Sequence, residues 1–207
     1  MRLPCLNSAA GRVFLPLALS VFLLPVLSPA QSAPTQAGGQ PLTAEQLAVY
    51  RAVLEDWMQG GWPTVNLAFV TQPLPFDGPS SAQGCAKGID LEPAAPALVH
   101  RFRASDLPQL SNGKVTLVDP GQQRAEVSRN DPGRAIDNGK PVKDSVDNGF
   151  AHGLFTLSEI RFSRDRTLAI VSYSFICGSL CGNGGAMVLQ KTPAGWRIKT
   201  TCSQWVS

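Results

Sequence analysis

Two periods organise the chain. Over residues 44–59, Leu47, Tyr50, Val53, Leu54, Trp57 and Met58 recur at helical spacing, which predicts an amphipathic helix facing a core. Thr43-Ala44-Glu45-Gln46 has the form of a capping box, with Thr43 capping the helix and Gln46 reaching back to it. Gly60-Gly61 ends the pattern. Tyr50 and Trp57 are read as core packing rather than ligand stacking. Towards the C-terminus the period shortens. Residues 154–163, 168–176, 186–191 and 196–205 are β-prone runs. They are linked by Arg164-Asp165-Arg166, by the glycine-rich segment 177–185 and by Thr192-Pro193-Ala194-Gly195. Links this short imply antiparallel neighbours. The expected fold class is therefore α+β: an N-terminal helix packed on a C-terminal four-strand antiparallel meander. The 168–176 run is apolar on both faces, so it is expected to be central and covered by helices. In the first run the alternation slips between Leu157 and Ile160, which predicts a bulge near Ser158-Glu159.

The middle of the chain is less regular. Residues 64–70 (TVNLAFV) read as a first strand. Residues 71–95 form a long loop rich in Pro and Gly, and such loops are functional or tied down. Cys85 is the expected tether. Residues 92–104, with His100 inside LVHRFR, are read as a helix. Residues 115–118 and 124–127 are read as short strands around the turn Asp119-Pro120-Gly121, and 130–149 as polar turns.

The N-terminus changes the compartment. Arg2 and Arg12 precede an apolar run over 13–27 (VFLPLALSVFLLPVL), and Ser28-Pro29-Ala30 places small residues at a cleavage site. This is the pattern of a signal peptide over 1–30, with processing after Ala30. The run is short of the roughly 20 residues that a spanning helix needs, so no stable membrane span is expected after processing. A flexible leader over 31–42 and one α+β domain over 43–207 complete the expected plan.

Composition adds exclusions. The chain has 207 residues, 43% of them hydrophobic, and a formal net charge of +3. That is enough apolar material for one core and too much, at so small a net charge, for a disordered polymer. Removing the leader takes two arginines, so 16 basic residues face 15 acidic ones. No concentrated basic patch of the kind that binds nucleic acid is visible. In an oxidising compartment the four remaining cysteines are an even set, for which three pairings exist. The four-residue spacing of Cys177 and Cys181 favours a bridge across one turn, leaving Cys85 with Cys202.

The run Phe162-Ser163-Arg164-Asp165-Arg166-Thr167-Leu168-Ala169, the hairpin Cys177-Gly178-Ser179-Leu180-Cys181-Gly182, the run Gly195-Trp196-Arg197-Ile198 and the tail Trp205-Val206-Ser207 resemble a group of uncharacterised exported bacterial proteins. Val206 stands where that tail carries isoleucine. The resemblance implies export and this C-terminal fold, and no activity. More loosely, a helix followed by a meander closing on Gly-Trp-Arg-Ile is similar to the NTF2-like superfamily, which holds both enzymes and binding modules.

Candidate chemistry is sparse. Cys177 and Cys181 lie in a hairpin rather than at a helix start, which points to a structural disulfide over a redox or metal site. His100 and His152 are the two histidines, and no HExxH motif is present, so no metal site is expected. Gly178-Ser179-Leu180-Cys181-Gly182 does not match the Gly-x-Ser-x-Gly nucleophile elbow. Asp144-Ser145-Val146-Asp147-Asn148-Gly149 lacks EF-hand spacing, and Asp-Asn-Gly at 137–139 reads as a turn. No cofactor and no catalytic residue is expected. The expected function is an exported binding or accessory protein with a small molecule or envelope protein as partner. Its candidate binding residues are Gly182, Asn183 and Gly184 in the glycine-rich hairpin, and His100. The alternative is an NTF2-like carrier or enzyme with a pocket between helix and sheet.

Overall fold

Helix α1 spans Ala44–Gln59 and is opened by the capping box that its sequence requires. Thr43 Oγ1 accepts from the Gln46 N–H at 3.2 Å, and Gln46 Oε1 accepts from the Thr43 N–H at 2.9 Å. The helix buries Leu47, Tyr50, Val53 and Leu54, and Val49 beside them. Gly61, at φ +100°, then reverses the chain in the left-handed region that glycine tolerates best. These features belong to a computed structural model that describes residues 39–62, 64–79, 81–93, 99–111 and 113–207. The signal peptide of 1–30, its cleavage and most of the 31–42 leader lie outside the described residues. Within the leader, Gln40 forms a parallel bridge to His100.

The sheet corrects the four-strand meander. Among the described residues it has seven strands. These are β1 (Val65–Ala68), β2 (Val115–Val118), β3 (Leu154–Leu157), β4 (Arg161–Phe162), β5 (Leu168–Gly178), β6 (Cys181–Thr192) and β7 (Gly195–Val206). Their order is β2-β1-β3-β5-β6-β7, with β4 also pairing β5. The part from β3 to β7 is antiparallel, but β1 runs parallel to both β2 and β3, so the sheet is mixed. Parallel neighbours need a long crossover rather than a hairpin. Here 69–114 supplies it, and short-range periodicity carries no signal for such pairing.

The slip near Ser158 is a bulge. Leu157 pairs with Tyr173 and Arg161 with Ile170, so three residues face two on β5. Ser158 Oγ accepts from the Ser172 N–H at 2.8 Å, and Ser172 O accepts from the Ser158 N–H at 2.9 Å. This divides the first run into β3 and β4.

Three expectations in the middle of the chain fail. The runs 124–127 and 130–149 are helical: α4 covers Pro120–Arg129, α5 Pro132–Asp137 and α6 Val142–Ala151. Asp119-Pro120 and Asp131-Pro132 are helix openings, with an aspartate cap before a proline whose fixed φ suits the first turn. Asp119 Oδ1 accepts from the Gln122 N–H at 2.9 Å. The same residue pairs also start β-turns, so local sequence alone does not separate the two. Within 92–104 the described residues hold no helix before Ala104. His100 and Arg101 instead bridge Gln40 and Val70, and the first helical turns are a 3-10 segment at Ala104–Asp106 and α3 at Leu107–Leu110.

One core cluster joins α1 to one face of the sheet through Tyr50, Leu54, Phe102, Phe155, Val171 and Leu189. The opposite face is covered by the 71–91 loop and its short helix α2 (Gln83–Ala86), where Ala82 and Cys85 meet Ile170, Ala186 and Val188. On that face, then, the loop covers one part of the sheet and α4 another, where Val127 meets Ala68 and Leu154. Beneath α1, Val53, Trp57 and Met187 line a void of only about 30 Å³ against the sheet.

Candidate functional site

The cysteines pair as their spacing favours. Cys85–Cys202 joins α2 to β7 with Cα atoms 5.2 Å apart, and Cys177–Cys181 spans the β5–β6 turn at 5.0 Å. That turn is seated on α5. Asp131 accepts from the backbone N–H groups of Ser179 at 3.0 Å and Gly133 at 2.9 Å. Burial opposes ionisation of Asp131, yet donors from Ser179, Gly133 and Arg134 outweigh it and hold the carboxyl below its ordinary value. Gly178 packs so closely on Pro132 that a Cβ would lie 2.7 Å from its Cδ.

The glycine-rich segment is not an open binding loop. Gly182, Asn183 and Gly184 sit inside β6 and pair with Ile176, Phe175 and Ser174 on β5. A Cβ on Gly184 would lie 2.5 Å from Trp205 Nε1 and 2.7 Å from Tyr173 O. The glycines thus make room for backbone and for the Trp205 ring. Asn183 stands beside Phe175, and its Oδ1 is buried without a hydrogen-bond partner. His152 caps the end of α6, its Nδ1 2.9 Å from Asn148 O.

His100 belongs to a polar cluster that the sequence did not reveal. The bulge turns Glu159 inward. Its Oε1 accepts from the His100 backbone N–H at 2.7 Å and from the Thr71 hydroxyl, and its Oε2 lies 2.7 Å from His100 Nδ1. Thr71 Oγ1 also accepts from the His100 N–H at 2.8 Å. With Nδ1 donating to the carboxylate, Nε2 accepts from Gln46 Nε2 at 3.4 Å. Tyr50 lies below, its hydroxyl donating to Ser158 O at 2.9 Å. Burial, and then the Glu159 charge, push its phenol well above the ordinary value. A carboxylate–imidazole pair orients a general base when the far nitrogen meets a substrate or nucleophile. Here that nitrogen meets the amide that also closes the α1 capping box. The cluster is a polar strut joining α1, the bulge and the 99–102 segment.

The open chemistry lies at the other end of α1. Trp57 projects from its last turn, and Gly61 turns the chain so that Trp62 stacks on Phe150 of α6 with centroids 3.8 Å apart. Phe150 continues to Phe175 at 5.1 Å, and Phe175 to Trp57 at 5.0 Å. Gly153 is required here, because a Cβ would fall within the Phe175 ring. Between these rings is a cleft of about 290 Å³, with Thr64 and Asp147 also on its wall. A larger trough of about 560 Å³ runs between α1 and Trp196-Arg197-Ile198, but its wall is polar and carries Arg51, Glu55, Asp56 and Arg197. Small-molecule sites are mostly apolar with a few polar groups, and that description fits the aromatic cleft. Trp57 was visible in the helical stripe. Trp62, Phe150 and Phe175 were not, because each lies on a different element.

Among the described residues, no group of three His, Cys, Asp or Glu side chains is arranged to hold a metal ion. No helix among them is long and apolar enough to cross a membrane. No family model matches the chain, and searches of curated proteins and of solved structures find no match.

Proposed function

We propose that this is an exported binding protein that holds a small, largely apolar ligand in the cleft between α1 and α6. The observation that carries the reading is the run of partly exposed rings, Trp57, Trp62 and Phe150, around an open cleft. Clustered exposed aromatics cost hydration free energy, and such patches mark interaction sites. The two disulfides support an oxidising compartment. The small void beneath Trp57, of about 30 Å³, and the polar wall of the trough beside β7 favour a site at the aromatic cleft over an interior pocket of the NTF2-like kind. Titration with benzyl alcohol, followed through the indole N–H resonances of Trp57 and Trp62, tests the site. Saturable shifts at both, lost in Trp62→Ala, are expected. Shifts confined to other residues, or none, refute the reading. Export is tested separately by the mature N-terminus, expected at Gln31.

A further inference from the structure

We infer that the ligand group held in the aromatic cleft is an organic cation, a methylated ammonium rather than a neutral or acidic group. The inference rests on the reading of this cleft as a ligand site. Its walls are ring systems from four positions, Trp57, Trp62, Phe150 and Phe175. The faces of aromatic rings carry negative potential, and tryptophan carries the most effective one. Asp147 is the one charged side chain among the residues lining the cleft. A wall of rings with a single carboxylate offers a cation aromatic surface and a counter-charge. It repels an anion, and it gives a neutral ligand only apolar contact.

Asp147 already has a cationic partner, and that contact shows the site's polarity. Lys143, one turn earlier on α6, places Nζ 2.5 Å from Asp147 Oδ2. The Lys143 side chain is 83% exposed and that of Asp147 57% exposed. Exposed helical pairs of this kind contribute little, because water screens them and long side chains must be held still. Lys143 is therefore an easily displaced occupant. A methylated ammonium is less strongly hydrated than a lysine ammonium and can enter among the rings, which Lys143 does not. The Thr64 hydroxyl, also on the wall, suits a ligand with one polar arm.

The test uses the whole chain and three probes of similar shape: choline, its neutral carbon analogue 3,3-dimethylbutan-1-ol, and the anion 3,3-dimethylbutyrate. Binding is read from the same two indole resonances. Choline should bind about tenfold more tightly than the alcohol, the range expected for a partly desolvated cation–π site with a nearby carboxylate. The anion should bind weakest. Asp147→Asn should reduce the choline preference over the alcohol to about twofold, and Lys143→Gln should raise choline affinity. Equal binding of choline and the alcohol would overturn the cation inference and leave the apolar site standing. Failure of all three probes and of benzyl alcohol would overturn both.

Discussion

The two ends of α1 face opposite demands. At its N-terminal end, Gln46 and Tyr50 join Thr71, His100 and Glu159 in a cluster where each described polar group has a partner. At its C-terminal end, Trp57 and Trp62 leave a cleft partly open. The comparison teaches where function lies in a chain with few reactive residues. A histidine beside a glutamate looks like chemistry, yet its far nitrogen is occupied by the helix cap. Trp57, Trp62 and Phe150 look like core, yet they are only partly buried. Satisfied polar groups hold a fold together, whereas incompletely covered rings leave room for a ligand.

The largest effect that would test this contrast concerns the tie that holds the closed end's loop. The Cys85–Cys202 bridge closes 117 residues and anchors the segment that begins at Thr71. Chain-entropy models give such a loop about 5 kcal/mol. Cys202→Ala should lower stability in urea by roughly that amount, and Cys181→Ala, which opens only a local turn, by far less. Equal losses would mean that the 71–91 cover contributes little. Next is Glu159→Ala, which leaves His100 Nδ1 without its carboxylate partner and takes the charged acceptor from the His100 N–H and the Thr71 hydroxyl. A cost of about 3 kcal/mol is expected, with Glu159→Gln recovering part of it. A loss below about 1 kcal/mol would show that water replaces the carboxylate freely and that the end is not closed.

The closed end should also carry a pH signature. Because the folded state raises the Tyr50 phenol above its ordinary value of 10.0, the neutral form is favoured by folding. That stability is present below the ordinary value and is lost as pH rises towards the folded one. Denaturation midpoints should therefore fall above pH 10, and Tyr50→Phe should flatten the fall, at a cost near neutrality of about 1 kcal/mol for the lost hydrogen bond to Ser158. Half-buried Tyr173, raised by burial and then by Asp56, should leave a smaller residual slope. An unchanged alkaline profile in Tyr50→Phe would place the loss elsewhere. The smallest stability effect belongs to the open end. Trp62→Ala should cost about 1 kcal/mol, the worth of one stacked pair, while removing probe binding. A larger cost would mean that Trp62 is a core residue.

Legibility followed the range of the interactions. The capping box and apolar stripe of α1 act within one or two turns, so 43–59 could be read from residue types alone. The β5–β6–β7 hairpins are joined by short turns, so their antiparallel pairing was also readable. The bulge at Ser158-Glu159 was visible as a slipped alternation, but its consequence was not. Only the fold brings Thr71, His100 and Gln46 to the glutamate that the bulge turns inward. The glycines of β6 were misread because a glycine run signals a turn locally, whereas Gly184 is small to admit Trp205 from the next strand.

The sequence by itself determined the helical face of α1 and the antiparallel C-terminal strands and favoured one of three cysteine pairings, because period, turn length and cysteine spacing are local or countable. The tertiary structure alone decided the parallel pairing of β1 with β2 and β3, the helical state of 120–151, the capture of His100 and the aromatic cleft. Each of these depends on which distant surfaces meet. Pairing energies between elements far apart in sequence leave no periodic trace along the chain, and the four rings of the cleft, carried by α1, the turn after it, α6 and β5, become neighbours only when those elements pack.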